Sequence, residues 1–505
     1  MPDRSSIVAS RLCVGLEIHV ELSTLAKMFT RIANVAHPDH FDAPANSLID
    51  PVVLGLPGAL PVMNKRAIEQ SMLVGLALNC TIAEHTTWDR KNYFYPDLPK
   101  GYQISQYGDP VCGPGHLEIP SHDGTTARIG IIRAHLEEDA GKLGHELPGG
   151  AHYDGSLVDY NRAGTPLLEI VTAPDFTHAD DVVTFAQELR AICRFLRVTE
   201  GDMQRGHMRF EPNINLHVTL DDGTTIATPI VEVKNLNSFR AVHGAITHEA
   251  TRQIEQWCAD GVVMGPNTKT TRGWDDQRDV TFLQRSKEDA MDYRYFPEPD
   301  LPPVVIDDAW RNAVATLLPE LPLARRARYV TSFGITDKEA RALVDDREHC
   351  DFYEACLHTA GGDVDATGGA IAKMLLNAGA KRANETGVGI HELGITPAQV
   401  FGAVTLRRHN EIGSTAADTL FGLLCTTDAS AHEVAEREQL LQVTDDTQVT
   451  AWIDAAINAE PDSATDVAAG KDAAIGRLIG AVMKASGGQA DAKDIRARLL
   501  QRLRS

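Results

Sequence analysis

Three consecutive carboxylates, Glu137-Glu138-Asp139, close a strand-like run that begins at Ile131, and Ala140-Gly141-Lys142 follow at once. Adjacent acids repel one another, and burying even one unpaired charge is costly. A divalent cation resolves that conflict, because hard cations take oxygen ligands and reverse the local electrostatics. A solvated acidic turn would explain the same triplet, so its meaning depends on what accompanies it. Residues 16–22 supply company: Glu17, His19 and Glu21 alternate with Leu16, Ile18, Val20 and Leu22, a period of two that puts all three polar groups on one strand face. Glu232 and Lys234 share a face in the same way. Glu17, His19, Glu137, Glu138 and Glu232 together are a donor set suited to Mg2+ or Mn2+ at an open site, provided that the fold brings them together.

Elements that could position these residues are legible around them. After the turn Leu56-Pro57-Gly58-Ala59-Leu60-Pro61, Ile68, Met72, Leu73, Leu76 and Ala77 fall at helical spacing. Residues 91–107 are aromatic, amide-rich and interrupted by Pro96 and Pro99, which predicts a structured loop rather than a regular element. Strands are expected on either side of the Asn161–Thr165 turn, followed by a helix over 179–197. A hairpin is expected over 209–219 and 226–233 around Asp221-Asp222-Gly223, and a long helix over 239–257. The proline cluster 297–303 marks the edge of an N-terminal α+β domain near residue 295, and Ala-rich helical texture replaces strand patterns after about 306.

A chain of 505 residues is too long for one core, so two to four domains are expected. No apolar run reaches membrane-spanning length, and residues 1–6 lack the pattern of a signal peptide, so the expectation is a cytoplasmic protein with no membrane contact. Eight scattered cysteines form no CxxC or CxC pair, which argues for reduced thiols. The net charge of −22 argues against wholesale nucleic-acid binding. The last 35 residues differ: eight cations face three acids, a surplus of five that suits a local RNA contact or simply a solvated helix face. There is no P-loop, dinucleotide fingerprint, H-E-x-x-H or G-x-S-x-G motif; a nucleotide here would need metal on carboxylates, with Lys or Arg assisting.

Six long motifs occur in order: Val14-Gly15-Leu16-Glu17-Ile18-His19-Val20-Glu21-Leu22, Leu56-Pro57-Gly58-Ala59-Leu60-Pro61, Arg90-Lys91-Asn92-Tyr93-Phe94-Tyr95-Pro96-Asp97, Leu136-Glu137-Glu138-Asp139-Ala140-Gly141-Lys142, Asp159-Tyr160-Asn161-Arg162-Ala163-Gly164-Thr165-Pro166 and Val233-Lys234-Asn235-Leu236-Asn237-Ser238. With them the chain closely resembles the B subunits of the bacterial tRNA-dependent amidotransferases. The resemblance implies an α+β fold: a large mixed α/β cradle domain with an antiparallel sheet (1–295), a helical linker domain (296–405) and a small all-α tail domain (406–505) that contacts tRNA. It implies ATP-dependent phosphorylation of the side-chain carboxylate of Glu-tRNA(Gln) or Asp-tRNA(Asn), then amidation by ammonia from a glutaminase A subunit, with a small C subunit completing a heterotrimer. ATP and Mg2+ are the implied cofactors. Glu17, His19, Glu137, Glu138 and Glu232 look like magnesium ligands, and Lys91, Tyr93, Lys100 and Glu138 look like part of an ammonia passage. Many members carry a four-cysteine zinc site where this chain has Thr30, Ile32, Asp50 and Val53, so no structural zinc is expected. Asp139 and Lys142 are expected to be structural.

Overall fold

The computed structural model describes residues 6–147, 150–285, 293–443 and 445–504. The chain divides into two compact units, 1–322 and 323–505.

The first unit is built on a nine-stranded sheet, with a separate hairpin laid against one end of it. In chain order the strands are β1 (Ile7–Glu21), the hairpin strands β2 (Asp89–Asn92) and β3 (Tyr102–Ser105), then β4 (Gly115–Pro120), β5 (Thr126–Glu138), β6 (Pro166–Thr172), β7 (Met208–Leu220), β8 (Thr225–Ala227), β9 (Val231–Lys234), β10 (Thr270–Asp275) and β11 (Val280–Arg285). Across the sheet they run β11-β10-β9-β7-β1-β6-β5-β4, with β8 alongside β7. Every pairing is antiparallel except β9 with β10.

Alternation makes the sheet two-faced. Leu16, Ile18 and Val20 of β1, Leu168 and Ile170 of β6, Met208, Phe210 and Ile214 of β7, and Val231 and Val233 of β9 join one core with the helices α1 (Lys65–Ala77), α2 (Ala179–Phe195) and α3 (Phe239–Asp260). The opposite face carries the polar residues. Strand β5 keeps to this pattern only through a bulge. Ile131 pairs with Thr172 and Arg133 with Val171, so Ile132 is extra and stands 50% exposed. Before the bulge the core residues are Ile129 and Ile131; after it they are Ala134 and Leu136. The odd-numbered residues 133, 135 and 137 are thereby turned to the polar face.

The expected hairpin and both helices after residue 178 are present. The second hairpin arm is broken, because β8 ends at Ala227 and pairing with β7 resumes only at Val231. Thr228 breaks the ladder by offering its hydroxyl to the Leu216 amide at 2.8 Å, and Pro229 has no N–H to give. Residues 91–107 correct the loop expectation at both ends: β2 and β3 pair there, and Phe296–Pro297 adds to β2. The Asp-Arg-Lys-Asn strand has no apolar alternation, so only its two partners make it a strand. Of the proline-rich boundary, Met291 and Asp292 lie outside the described residues, while Val304–Val305 pairs with His85–Thr86 and so belongs to the first unit.

All regular elements described in the second unit are helical. Capping boxes at Thr336/Glu339, Thr396/Gln399 and Ser430/Glu433 mark three helix starts. A distinct apolar cluster gathers Val449, Ile453, Val467, Leu478, Val482, Ile495 and Leu499. Among the described residues, no helix is long and apolar enough to cross a membrane. All eight cysteines are free.

Candidate phosphoryl-transfer and ammonia site

The polar face of the sheet collects acids and imidazoles from adjacent strands. In register, Glu17 of β1 lies opposite Glu211 of β7, and His19 lies opposite both Arg209 of β7 and Glu169 of β6. Glu169 in turn pairs with His135 of β5. Two overlapping sets of possible ligand atoms result, Glu17/His19/Glu211 and His19/Glu137/Glu169, with the atoms of each set within 4.8 Å of one another. His19 Nε2 lies 3.8 Å from Glu17 and 3.6 Å from Glu169, and His135 Nε2 lies 3.5 Å from Glu169. Glu232 joins at the flank: Lys234 bridges it (2.8 Å) to Glu211 (2.6 Å), and Lys269 reaches its other oxygen at 3.1 Å.

The electrostatics single out Glu17. Burial and then the Glu169 charge push its carboxyl up to about 7, and among the described residues it has no Lys or Arg partner. Burial opposes a charge on His19, but the Glu169 contact and the field of Glu211 outweigh it and raise the imidazole to about 9. Burial works against the Glu169 charge too, yet His19 and His135 hold its carboxyl far below the usual range. Glu232 is kept below its ordinary value by Lys234 and Lys269 against its burial. The buried Nδ1 atoms of His19 and His135 have no hydrogen-bond partner. A site with an acid that no Lys or Arg neutralises, crowded carboxylates and orphaned imidazole nitrogens fits a divalent cation.

Glu138 is placed elsewhere. On a strand, adjacent residues face opposite ways, so Glu137 points to the acids and Glu138 follows the phase of Ala134 and Leu136. Glu137 meets Lys91 of β2 at 3.4 Å. Glu138 instead forms an ion pair with Lys100 and accepts the Ile104 amide at 3.0 Å, while its carbonyl accepts the Gln103 side chain at 2.7 Å. The β2–β3 hairpin is thus docked on the last residues of β5, and the Gly141 amide ties its loop at Asp97 (2.8 Å). Tyr93 stands beside Tyr293, and the Lys91 ammonium lies over the Tyr293 ring at 5.4 Å. Burial, against the pull of Lys91, pushes the Tyr93 phenol well up, so it stays a neutral hydroxyl.

Asp139 is held by two arginines. Arg209 donates to it at 2.7 Å and Arg162 approaches to 3.6 Å; against the cost of burial they hold its carboxyl at about 2. Burial and the Asp139 charge push neighbouring Glu21 up to about 8. Beneath Glu138, the buried ammonium of Lys27 donates to the carbonyls of Leu48 (2.7 Å), Tyr160 (3.3 Å) and Ala163 (2.7 Å). Gly164, at φ +81°, sits against Lys27 and Glu138 in the left-handed region that glycine tolerates.

Residues 12–312 match the GatB/GatE catalytic domain, and residues 357–503 match the GatB domain. The chain belongs to the family of amidotransferase B subunits. Proteins named as the B subunit of aspartyl/glutamyl-tRNA(Asn/Gln) amidotransferase are similar to it over nearly the full length. The one from Caldanaerobacter subterraneus subsp. tengcongensis is 39% identical over 478 residues, 95% of this chain and 96% of the relative. That from Rhodopirellula baltica is 41% identical over 93% of this chain and 92% of its own. That from Carboxydothermus hydrogenoformans is 40% identical over 97% and 98%. The family is that of a tRNA-dependent, transamidating ligase.

Against that family's motifs, Glu169, Glu211 and His135 are additions that the sequence reading missed. Glu169 was visible as the lone acid in Pro166–Thr172, and Glu211 lies in an Arg209, Glu211, Asn213, Asn215 alternation. Without strand order, neither could be joined to Glu17. The four positions where many family members hold zinc are closed by hydrogen bonds: Thr30 donates to the Asp50 carboxylate, which also accepts the Val53 amide at 2.9 Å. Asp50→Ala is therefore expected to destabilise the first unit by about 1–3 kcal/mol, measured by denaturant unfolding, with no recovery on adding zinc.

Proposed function

We propose that the polar face of the central sheet phosphorylates the side-chain carboxylate of Glu-tRNA(Gln), of Asp-tRNA(Asn), or of both, at the expense of ATP, and then converts it to the amide. The observation that carries this reading is the convergence of Glu17, His19, Glu137, Glu169 and Glu211 on one face, with Glu17 lacking a Lys or Arg partner among the described residues. These residues would hold Mg2+, with Glu232 able to join when Lys234 moves off it. Bound there, Mg2+ supplies positive charge against the phosphoryl oxygens. The substrate carboxylate oxygen attacks the γ-phosphorus and ADP leaves; ammonia then attacks the acyl carbon, inorganic phosphate leaves and one proton is lost. Lys91, on Glu137, stands at the junction of both halves and is placed to counter charge on the acyl phosphate. Tyr93, Lys100 and Glu138 offer hydroxyl, ammonium and carboxylate along the docked hairpin, a polar route for neutral ammonia.

We further infer a cytoplasmic heterotrimer with a glutaminase A subunit and a small C subunit, and a tRNA-contacting tail at 406–505; of the linker expected over 296–405, the residues up to 322 belong to the first unit, so the helical linker starts only after them. The tail's positive surplus is smaller in effect than its sequence suggests. Arg498 pairs with Asp446 and Asp494, Arg502 with Asp454, and Arg504 with Asp472. On the same last helix, Lys493 and Arg496 have no ion-pair partner among the described residues and are left to meet phosphate. Lys493→Gln with Arg496→Gln is expected to weaken tRNA binding at low salt and to flatten the salt dependence by about 1–2 in log–log slope; an unchanged slope removes the tail from the interface.

The decisive experiment is single-turnover γ-phosphate release in the reconstituted complex with each mischarged tRNA. A non-catalytic scaffold that only presents tRNA releases none.

A further inference from the structure

We propose a second metal site in the helical unit, formed by Asp346, His349 and His391, that takes a borderline divalent cation such as Zn2+ or Co2+. Asp346 caps the helix Arg347–Ala360, accepting the His349 amide at 3.0 Å, which sets the carboxylate and the His349 ring on the same first turn. His391 comes from the short turn Ile390–Glu392. One ligand atom of each residue lies within 4.8 Å of the others. Two imidazoles and one carboxylate suit a borderline cation better than Mg2+, which prefers oxygen donors.

Two further observations point to an occupant. His391 Nδ1 is buried without any hydrogen-bond partner, an uncommon cost for an imidazole in a polar setting. Gly389 keeps the space open: a Cβ there would stand 2.7 Å from His391 Nδ1 and 3.1 Å from His349 Nε2. The rings themselves lie 5.4 Å apart, nearly edge to face. His349 has a ring lone pair to offer. That lone pair now accepts the Ile390 amide at 2.9 Å. Coordination by His349 replaces this one hydrogen bond, and the bound ion clamps the start of the helix to the 390 turn.

The test uses full-length, tag-free protein, stripped with chelator and titrated with Co2+ in saturating Mg2+, which blocks the strand-face acids. Visible d–d absorption reports the bound ion. Wild type is expected to bind one equivalent of Co2+ that His391→Asn and Gly389→Ala both lose, and Zn2+ is expected to displace it. Gly389→Ala keeps every ligand and alters only the space, so it stands if His391→Asn folds poorly. Absence of any Mg2+-resistant Co2+ binding in wild type overturns the proposal without recourse to variants. Equal stoichiometry in all three chains also overturns it.

Discussion

Glu211→Gln is expected to lower single-turnover γ-phosphate release by roughly 100-fold, the scale on which removing one preorganised charge at a transferring group acts. The tRNA affinity should change little. Glu211 faces Glu17 across β1 and β7 and shares a ligand set with His19, so the amide removes a negative donor while keeping the side chain's shape. Its other contact is Lys234 at 2.6 Å. A purely structural Glu211 would serve only to hold that lysine, and Lys234→Met would then be equally damaging. The phosphoryl-transfer reading expects the opposite ranking, with raised Mg2+ partly restoring Glu211→Gln and leaving Lys234→Met unchanged. Wild-type turnover in Glu211→Gln at limiting Mg2+ would remove the residue from the site.

The second large effect concerns Lys100 and Glu138, whose side chains are 8% and 5% exposed. Breaking a buried ion pair from one side strands the other charge, at a cost of about 3–5 kcal/mol. Lys100→Met and Glu138→Gln are each expected to lower the stability of the first unit by that order, measured by denaturant midpoint. The double variant should be milder than the sum of the two. In variants that remain folded, Glu138→Gln is expected to depress glutamine-dependent amidation far more than γ-phosphate release, because Glu138 faces away from the acids. Equal loss in both assays would put Glu138 on the phosphoryl side instead.

The face assignments were legible in the sequence wherever one strand alternates by itself. Residues 16–22 announce Glu17 and His19, and Val231–Lys234 announces Glu232. Partners across strands were not legible, since nothing local says that β1 lies between β6 and β7. Glu169 and Glu211 therefore emerged only with strand order. The β2–β3 hairpin was hidden for a related reason: its residues carry no periodicity, and its strands exist because their neighbours pair with them. Glu137 and Glu138 read as one acidic unit in sequence. Only the pairing of β5 divides them.

That division depends on how β5 disposes of Ile132. A strand's side chains change face with every single-residue shift. Had Ile132 taken a regular place opposite Val171, each later residue would slip one position along β6. Glu138 would then turn to the face of His19 and Glu169, while His135 and Glu137 would leave it. Looping the isoleucine out lets Arg133 take Val171 instead, and the strand returns to step. On the proposed reading, the sheet is a partition one strand thick, with Glu137 turned to the activating chemistry and Glu138 to the nitrogen supply. A chain without Ile132 would need no bulge and would keep both acids where they are, whereas one residue lost beyond it would exchange them. The bulge is a counter: it absorbs one surplus residue so that two neighbouring acids face opposite sides of the same wall.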